Sequence, residues 1–319
     1  MKFDTRIQIN VYLFHRVSPV RDPLWNPISP FRFRQIVAFL SKKYEIVPLE
    51  KTLLGEYTPL GKKPACAITF DDAYKDYIEY ALPILDQHNA PSSLYVITDC
   101  ADQDLPPWTY ILNHVFINTS HLTLDLVSKA LPPPLRKTTW KNTKERIDYA
   151  RKLSPFVKQL NNQERKLIFE QILFDFNDTD MPRGMMMRWD EIREVMRNGT
   201  EIGSHSKTHP LLTKKISKDA LTEEVLGSGK KIETETGKFP KTFAYPFGNY
   251  NSAIEKLTAE AGYEIGIAVN NKPFNGHTDS IYEVPRIELY DEPFFKSRLR
   301  IKGVIPRFNR LMNRETRFD

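Results

Sequence analysis

The sequence predicts an α/β fold: a distorted (β/α) barrel of about seven strands interrupted by a helical insertion. Three observations lead there. Short apolar runs alternate with helix-patterned segments through residues 1–100 and again over 186–295. Each strand–helix–strand crossover returns the chain to the same edge, which makes successive strands parallel. Between the two stretches, residues 101–185 lose the alternation, turn rich in Pro, Asn, Lys and Thr, and show helical periodicity near 143–175. An open doubly wound sheet is the other arrangement this pattern allows.

Taken in order, Ile7 to Phe14 reads as a strand, Pro30 to Lys43 as a helix and Tyr44 to Leu49 as a strand. Ala65 to Phe70 and Ser92 to Thr98 read as two more strands, with a helix from Tyr74 to His88 between them. The insertion follows, with prolines at 132–134. Beyond it, a helix over Asp190 to Asn198 ends at Gly199, a residue suited to a left-handed cap. Strand Glu201 to Ser204, a helix near 218–235 and strand Thr242 to Tyr245 come next. Helix Ser252 to Ala261 closes at Gly262, before strands Ile265 to Val269 and Tyr282 to Leu289. Residues 296–319 form a basic tail in which Lys and Arg alternate with Phe, Leu and Ile.

At 319 residues with 40% hydrophobic and 12% aromatic content, the chain has material for a substantial core and no signature of disorder. A net charge of +6 spread over this length reads as a solvated surface, and no nucleic-acid partner is expected. The two cysteines, Cys66 and Cys100, cannot build a disulfide framework or a four-thiolate metal site. The first six residues carry charged and polar positions where a secretory signal would be apolar, and no run reaches the length of a membrane span. The expected compartment is the cytoplasm. The basic tail offers peripheral contact with an anionic membrane, or else a helix packed on the barrel.

Two short segments carry the chemistry: Ile68-Thr69-Phe70-Asp71-Asp72 and Gly203-Ser204-His205-Ser206-Lys207-Thr208-His209-Pro210. Each lies at the carboxyl end of an expected strand, where α/β barrels build their sites. One carboxylate and two imidazoles suit a divalent metal, with the second carboxylate left over to accept a proton. Alone, the Asp pair also fits a helix N-cap. Trp108, Tyr110 and Trp140 in the insertion read either as a sugar-stacking wall or as its core. Met185 to Met187 read as a hinge or a packing plug.

The two segments resemble the first two motifs of the NodB-like polysaccharide deacetylases (carbohydrate esterase family four), and Phe243-Ala244-Tyr245-Pro246-Phe247-Gly248 resembles the third. The resemblance covers about residues 60–100 and 186–290. It implies that Asp72, His205 and His209 hold a divalent metal, most often Zn2+, and that Asp71 is the general base for the attacking water. It further implies that the Phe247 backbone N–H stabilises the oxyanion, with Tyr245 beside it in the substrate-binding segment. An N-acetylated amino-sugar oligo- or polysaccharide would be the substrate, and acetate the product.

Two departures stand out. The family's motif-three arginine is replaced by Ala244, and Arg286 in Val284-Pro285-Arg286-Ile287 is the candidate substitute, or else a structural ion pair. The late Leu-x-His motif that supplies a general acid is absent, and His277 reads as an exposed loop residue. Tyr12-Leu13-Phe14-His15-Arg16-Val17 resembles the opening of permuted deacetylases that act on exopolysaccharides, which makes His15 the candidate acid. Hydrolysis of a small non-sugar amide and a silent carbohydrate-binding role stay open.

Overall fold

The computed structural model describes residues 7–213 and 216–305. In chain order its strands are β1 Gln8–Phe14, β2 Glu45–Ile46, β3 Ala65–Phe70, β4 Ser92–Val96, β5 Thr123–Asp125 and β6 Lys137–Thr139. They continue as β7 Glu201–Ser204, β8 Thr242–Ala244, β9 Ile265–Ile267, β10 Phe274–Asn275 and β11 Ile287–Glu288. The helices are α1 Pro30–Lys43, α2 Leu49–Leu53, α3 Leu82–Asp86, α4 Thr98–Gln103, α5 Trp108–Asn118 and α6 Thr143–Gln159. After these come α7 Asn162–Asp175, α8 Trp189–Arg197, α9 Lys218–Thr222, α10 Ser228–Thr236, α11 Ser252–Glu260 and α12 Phe294–Ile301.

Strands β1, β3, β4, β7, β8 and β9 lie side by side in that order, all parallel. Val284 bridges Ile267 of β9 and β11 pairs with β1, so one segment joins the two ends of the curled sheet. The expected distorted barrel is therefore the observed fold. Alternation decides which side chains enter it. Ile9, Val11, Ala65, Ala67, Tyr95, Ala244, Ile265, Ile267 and Val284 share the interior cluster. Tyr12, Phe14, Ile68, Phe70, Leu94 and Val96 face outward against Phe33, Ile36, Val37 and Leu40 of α1. Each such fully buried side chain contributes about 1.5–3 kcal/mol. Following the inward positions up β1 and β3 leads to His15 and to Thr69 and Asp71.

Local chemistry explains several boundaries. α1 starts where Ser29 Oγ accepts from the Arg32 N–H with Pro30 next, and it ends with Lys42 and Lys43 in its last turn. Gly199 ends the turn after α8 with φ +102°. Gly203 is required in β7 because a Cβ there would overlap the Tyr95 ring and Thr242 Oγ1.

Other expectations need correcting. The Tyr44 to Leu49 strand shrinks to β2, because Pro48 starts α2. The helix expected over Tyr74 to His88 begins at Tyr77, because Tyr74 is bridged to Met186. It opens as a π-helical turn, Tyr77–Ala81, before α3, and Pro83 there lacks the N–H of a regular ladder. The helix near 218–235 likewise contains a π turn, Glu223–Gly227. Tyr282 to Leu289 is not one strand: a 3-10 turn, Ile281–Glu283, precedes Val284, and only β11 pairs regularly. β10, antiparallel to β1, was not expected.

The 101–185 segment has its own apolar cluster, with Leu112, Val115, Phe116, Leu153, Val157, Ile168 and Ile172 among its members. It also contains an unexpected antiparallel pair, β5 with β6. Trp140 is buried in that cluster, and Met186 and Met187 are buried as packing residues. α12 packs on the barrel through Phe294 against Phe39 and the Tyr12 hydroxyl donating to Ile301 O. The rest of the basic tail, 306–319, lies outside the described residues. No helix among the described residues is long and apolar enough to cross a membrane.

Candidate functional site

A cleft of about 410 Å³ opens at the carboxyl ends of the strands. His15, Asp71, Asp72, His205, His209 and Phe247 all line it. The backbone turns sharply at several of these positions: φ is +73° at Asp72, +57° at His209 and +58° at Phe247. Non-glycine residues avoid that region unless their surroundings hold them there. At Asp72 the turn breaks strand alternation, so two consecutive carboxylates face one space.

The Asp72, His205 and His209 ligand atoms all lie within 4.8 Å of one another. Asp72 Oδ1 is 3.6 Å from His205 Nε2 and 3.7 Å from His209 Nε2. Zinc bonds of about 2.0–2.1 Å at tetrahedral angles set donor atoms roughly 3.3–3.4 Å apart, so little movement is needed to hold an ion. Asp72 Oδ1 is buried without a hydrogen-bond partner, and burial pushes this carboxyl above its ordinary range. That is the environment of an oxygen suited to a cation. The His205 Nδ1–H points at Ala244 O, 2.7 Å away, which leaves Nε2 as the lone-pair nitrogen. Burial, then the charges of His205, His15, Lys158 and Arg165, push His209 well below its usual pKa and so favour the neutral, ligating form. The residues present fit a divalent metal.

Asp71 is set up differently. Arg286 donates from Nη1 to Oδ1 at 2.6 Å and from Nη2 to Oδ2 at 2.7 Å. Both side chains are buried, at 0% and 3% exposure, and Arg286 also donates to Ala268 O. Burial alone would raise the Asp71 carboxyl; the charges of Arg286 and His205 and the Arg286 hydrogen bonds outweigh it and hold the carboxyl below its ordinary value. A bidentate pair uses one lone-pair site on each oxygen and leaves another free on each. Arg286 thus lies against Asp71, although it comes from the short connection just before β11 and not from the segment around Ala244.

His15 sits across the cleft with Nδ1 3.7 Å from Glu288 Oε1 and its ring edge-on to Trp25. The Phe247 ring packs on His209 at 4.5 Å. Tyr245 points away from the cleft: it is buried among Phe243, Ile254 and Tyr263, and its hydroxyl donates to Tyr282 O. His277 is exposed, as expected.

Beyond Trp108 and Tyr110, which the sequence offered as wall or core, several contributors were not legible in the sequence. The Trp108 indole N–H donates to His209 O at 2.9 Å, and Arg165 lies over the Trp108 ring. Buried Glu224 accepts from the backbone N–H groups of Lys207 and Thr208, bracing the same loop. Thr109, Tyr110 and Asn113 of α5 and Arg151, Ser154 and Lys158 of α6 form a wall of the cleft. The insertion therefore faces the site: Tyr110 takes the wall position that was one of its two readings, while Trp140 belongs to the core, and the 3–4 residue spacing of the α6 polar positions is a further signal.

A family model described as polysaccharide deacetylase matches residues 60–266. The peptidoglycan-N-acetylglucosamine deacetylase PgdA of Listeria monocytogenes is 33% identical over 78 residues, a match spanning 24% of this chain but only 15% of that protein. The Streptococcus pyogenes deacetylase PplD, solved in complex with acetate, superposes with a TM-score of 0.61 at 17% identity, covering 93% of this chain and 98% of that one. IcaB from Ammonifex degensii gives 0.54 at 16% identity, with 93% and 97% covered. Identities this low speak for the fold alone.

Proposed function

The chain belongs to the polysaccharide deacetylase family, and from that premise we propose that it is a metal-dependent hydrolase removing N-acetyl groups from an amino-sugar polymer or its precursor. The observation that carries this reading is the buried Asp72–His205–His209 cluster with an arginine-held carboxylate, Asp71, beside it. A divalent ion on that cluster, zinc being the best fit to one carboxylate and two imidazoles, would supply Lewis acidity toward water and the acyl oxygen.

The chain's own groups divide the remaining work. Asp71, kept ionised by Arg286, takes the proton from water as it attacks the acetyl carbon. The Phe247 N–H donates to the oxyanion, a type of contact worth about 3–4 kcal/mol where one donor has been removed. His15 gives a proton to the departing sugar nitrogen, which would otherwise leave as an unstable anion. Glu288 lies beside it, with Oε1 3.7 Å from the His15 Nδ1. The α5–α6 wall narrows access and so limits water around the reacting groups. Acetate and a free amino sugar result.

The test is acetate release from N-acetylated amino-sugar oligomers by purified protein and by Asp71→Asn. The wild type should release acetate and Asp71→Asn should lose turnover while keeping its circular dichroism. Full activity in Asp71→Asn, or formate or ammonia as the product, would overturn the reading.

A further inference from the structure

The wall contributed by the insertion carries a feature that deacetylation of a neutral sugar does not use. Arg151, Ser154 and Lys158 follow one another at helical spacing along α6 and all line the cleft. The other charged groups in the cleft already have partners. Asp71 is paired with Arg286, and Asp72 faces the two metal-site imidazoles. Glu288 accepts from the Tyr290 hydroxyl at 2.6 Å and lies beside His15. Arg151 holds Asp148 at 2.7 Å and donates to Pro23 O at 2.8 Å.

Lys158 differs from these. Its ammonium lies 5.0 Å over the Phe247 ring, with no ion pair or hydrogen bond to the described residues. Burial pushes its pKa down, and the more distant Glu288 only partly offsets this. A cation taken partly out of water against an aromatic face alone is under-compensated. An arriving anion would recover the lost solvation, and the Ser154 hydroxyl one turn away adds a second donor. Because the Phe247 ring also packs on His209, that anion would sit next to the reacting acetamide.

Resting on the deacetylase reading above, we propose that Lys158 anchors an anionic oxygen group, a phosphate or a carboxylate, borne on the acetylated sugar or its immediate neighbour. The insertion thereby selects charged over neutral amino-sugar substrates.

The experiment compares kcat/KM for acetate release from three acetamido-sugar oligomers of matched length: one neutral, one bearing a phosphate and one containing a uronic acid. Wild type, Lys158→Met and Lys158→Arg are assayed on each. The wild type should prefer at least one anionic oligomer by roughly 10- to 100-fold, the size of a single charge-assisted hydrogen bond. Which anionic arm is preferred identifies the group. Lys158→Met should bring that ratio close to one, and Lys158→Arg should keep most of it, which also reports a folded cleft. No anionic preference in the wild type, or an equal fall on all three oligomers in Lys158→Met, would overturn the inference and leave deacetylation standing. No acetate from any oligomer would bring down both.

Discussion

Replacing Arg286 by Met removes the guanidinium from a pair in which neither side chain reaches solvent, at 0% and 3% exposure. Two charge-assisted bonds of 2.6 and 2.7 Å disappear, and Asp71 is left as a buried carboxylate with no cation of its own. Breaking a buried pair from one side costs about 3–5 kcal/mol, a large share of the roughly 5–15 kcal/mol that holds a typical protein together. Much of that cost belongs to the orphaned charge, so Asp71→Asn should be far less harmful, or even stabilising, in the Arg286→Met background. Urea unfolding of the wild type, both single variants and the double variant at neutral pH measures the coupling. The direction with pH is also fixed. With Arg286 present, the Asp71 pKa is depressed, so its contribution is present above the unfolded carboxylate pKa and lost as pH falls. Without Arg286, burial raises the same carboxyl, and the deficit of Arg286→Met should shrink toward acid pH as Asp71 takes up a proton. Single effects that add to within about 0.5 kcal/mol would refute the pairing as an energetic unit.

Other perturbations read out separate parts of the site. Trp108→Phe keeps a ring under Arg165 but removes the bond to His209 O; it should cost about 1 kcal/mol of stability and weaken metal affinity roughly 10- to 100-fold by titration calorimetry. Unchanged affinity would show that the insertion does not position the metal loop. His15→Gln should lower turnover of an acetamide by about 10²–10⁴ and that of an activated ester much less, since a good leaving group needs no proton. Equal losses on both substrates would remove His15 as the acid. At the opposite end of the barrel, burial and then the Glu201 charge raise Glu50 to about 7. Its contribution is favourable below the unfolded carboxylate pKa and lost as pH rises through about 7, so the stabilising effect of Glu50→Gln should grow from pH 5 to pH 8. A constant thermal shift across that range would contradict it.

The barrel was legible wherever strands are short apolar runs bounded by turn residues: Ala65 to Phe70, Glu201 to Ser204 and the Pro30 to Lys43 helix match residue for residue. Segments that change direction within a few residues were not. Tyr282 to Leu289 has the apolar content of a strand, but Val284 pairs with β9 while Ile287 and Glu288 pair with β1. The metal-site candidates were readable because each set lies within five consecutive positions. Tyr245 leaves the cleft because alternation turns it, like Phe243, to the outer side of β8 while Ala244 faces the barrel interior. Trp108 and His209 are 101 residues apart, and Lys158 meets Phe247 only once α6 folds over the strand ends. No local spacing encodes such meetings; they depend on how the insertion docks.

The decisive measurement is anomalous diffraction at the zinc edge from crystals of the zinc-loaded protein. One strong peak is expected within about 2.0–2.2 Å of Asp72 Oδ1, His205 Nε2 and His209 Nε2, with Asp71 outside the coordination shell. A peak elsewhere, or none at full zinc loading, would contradict the site from which every proposed role here is drawn.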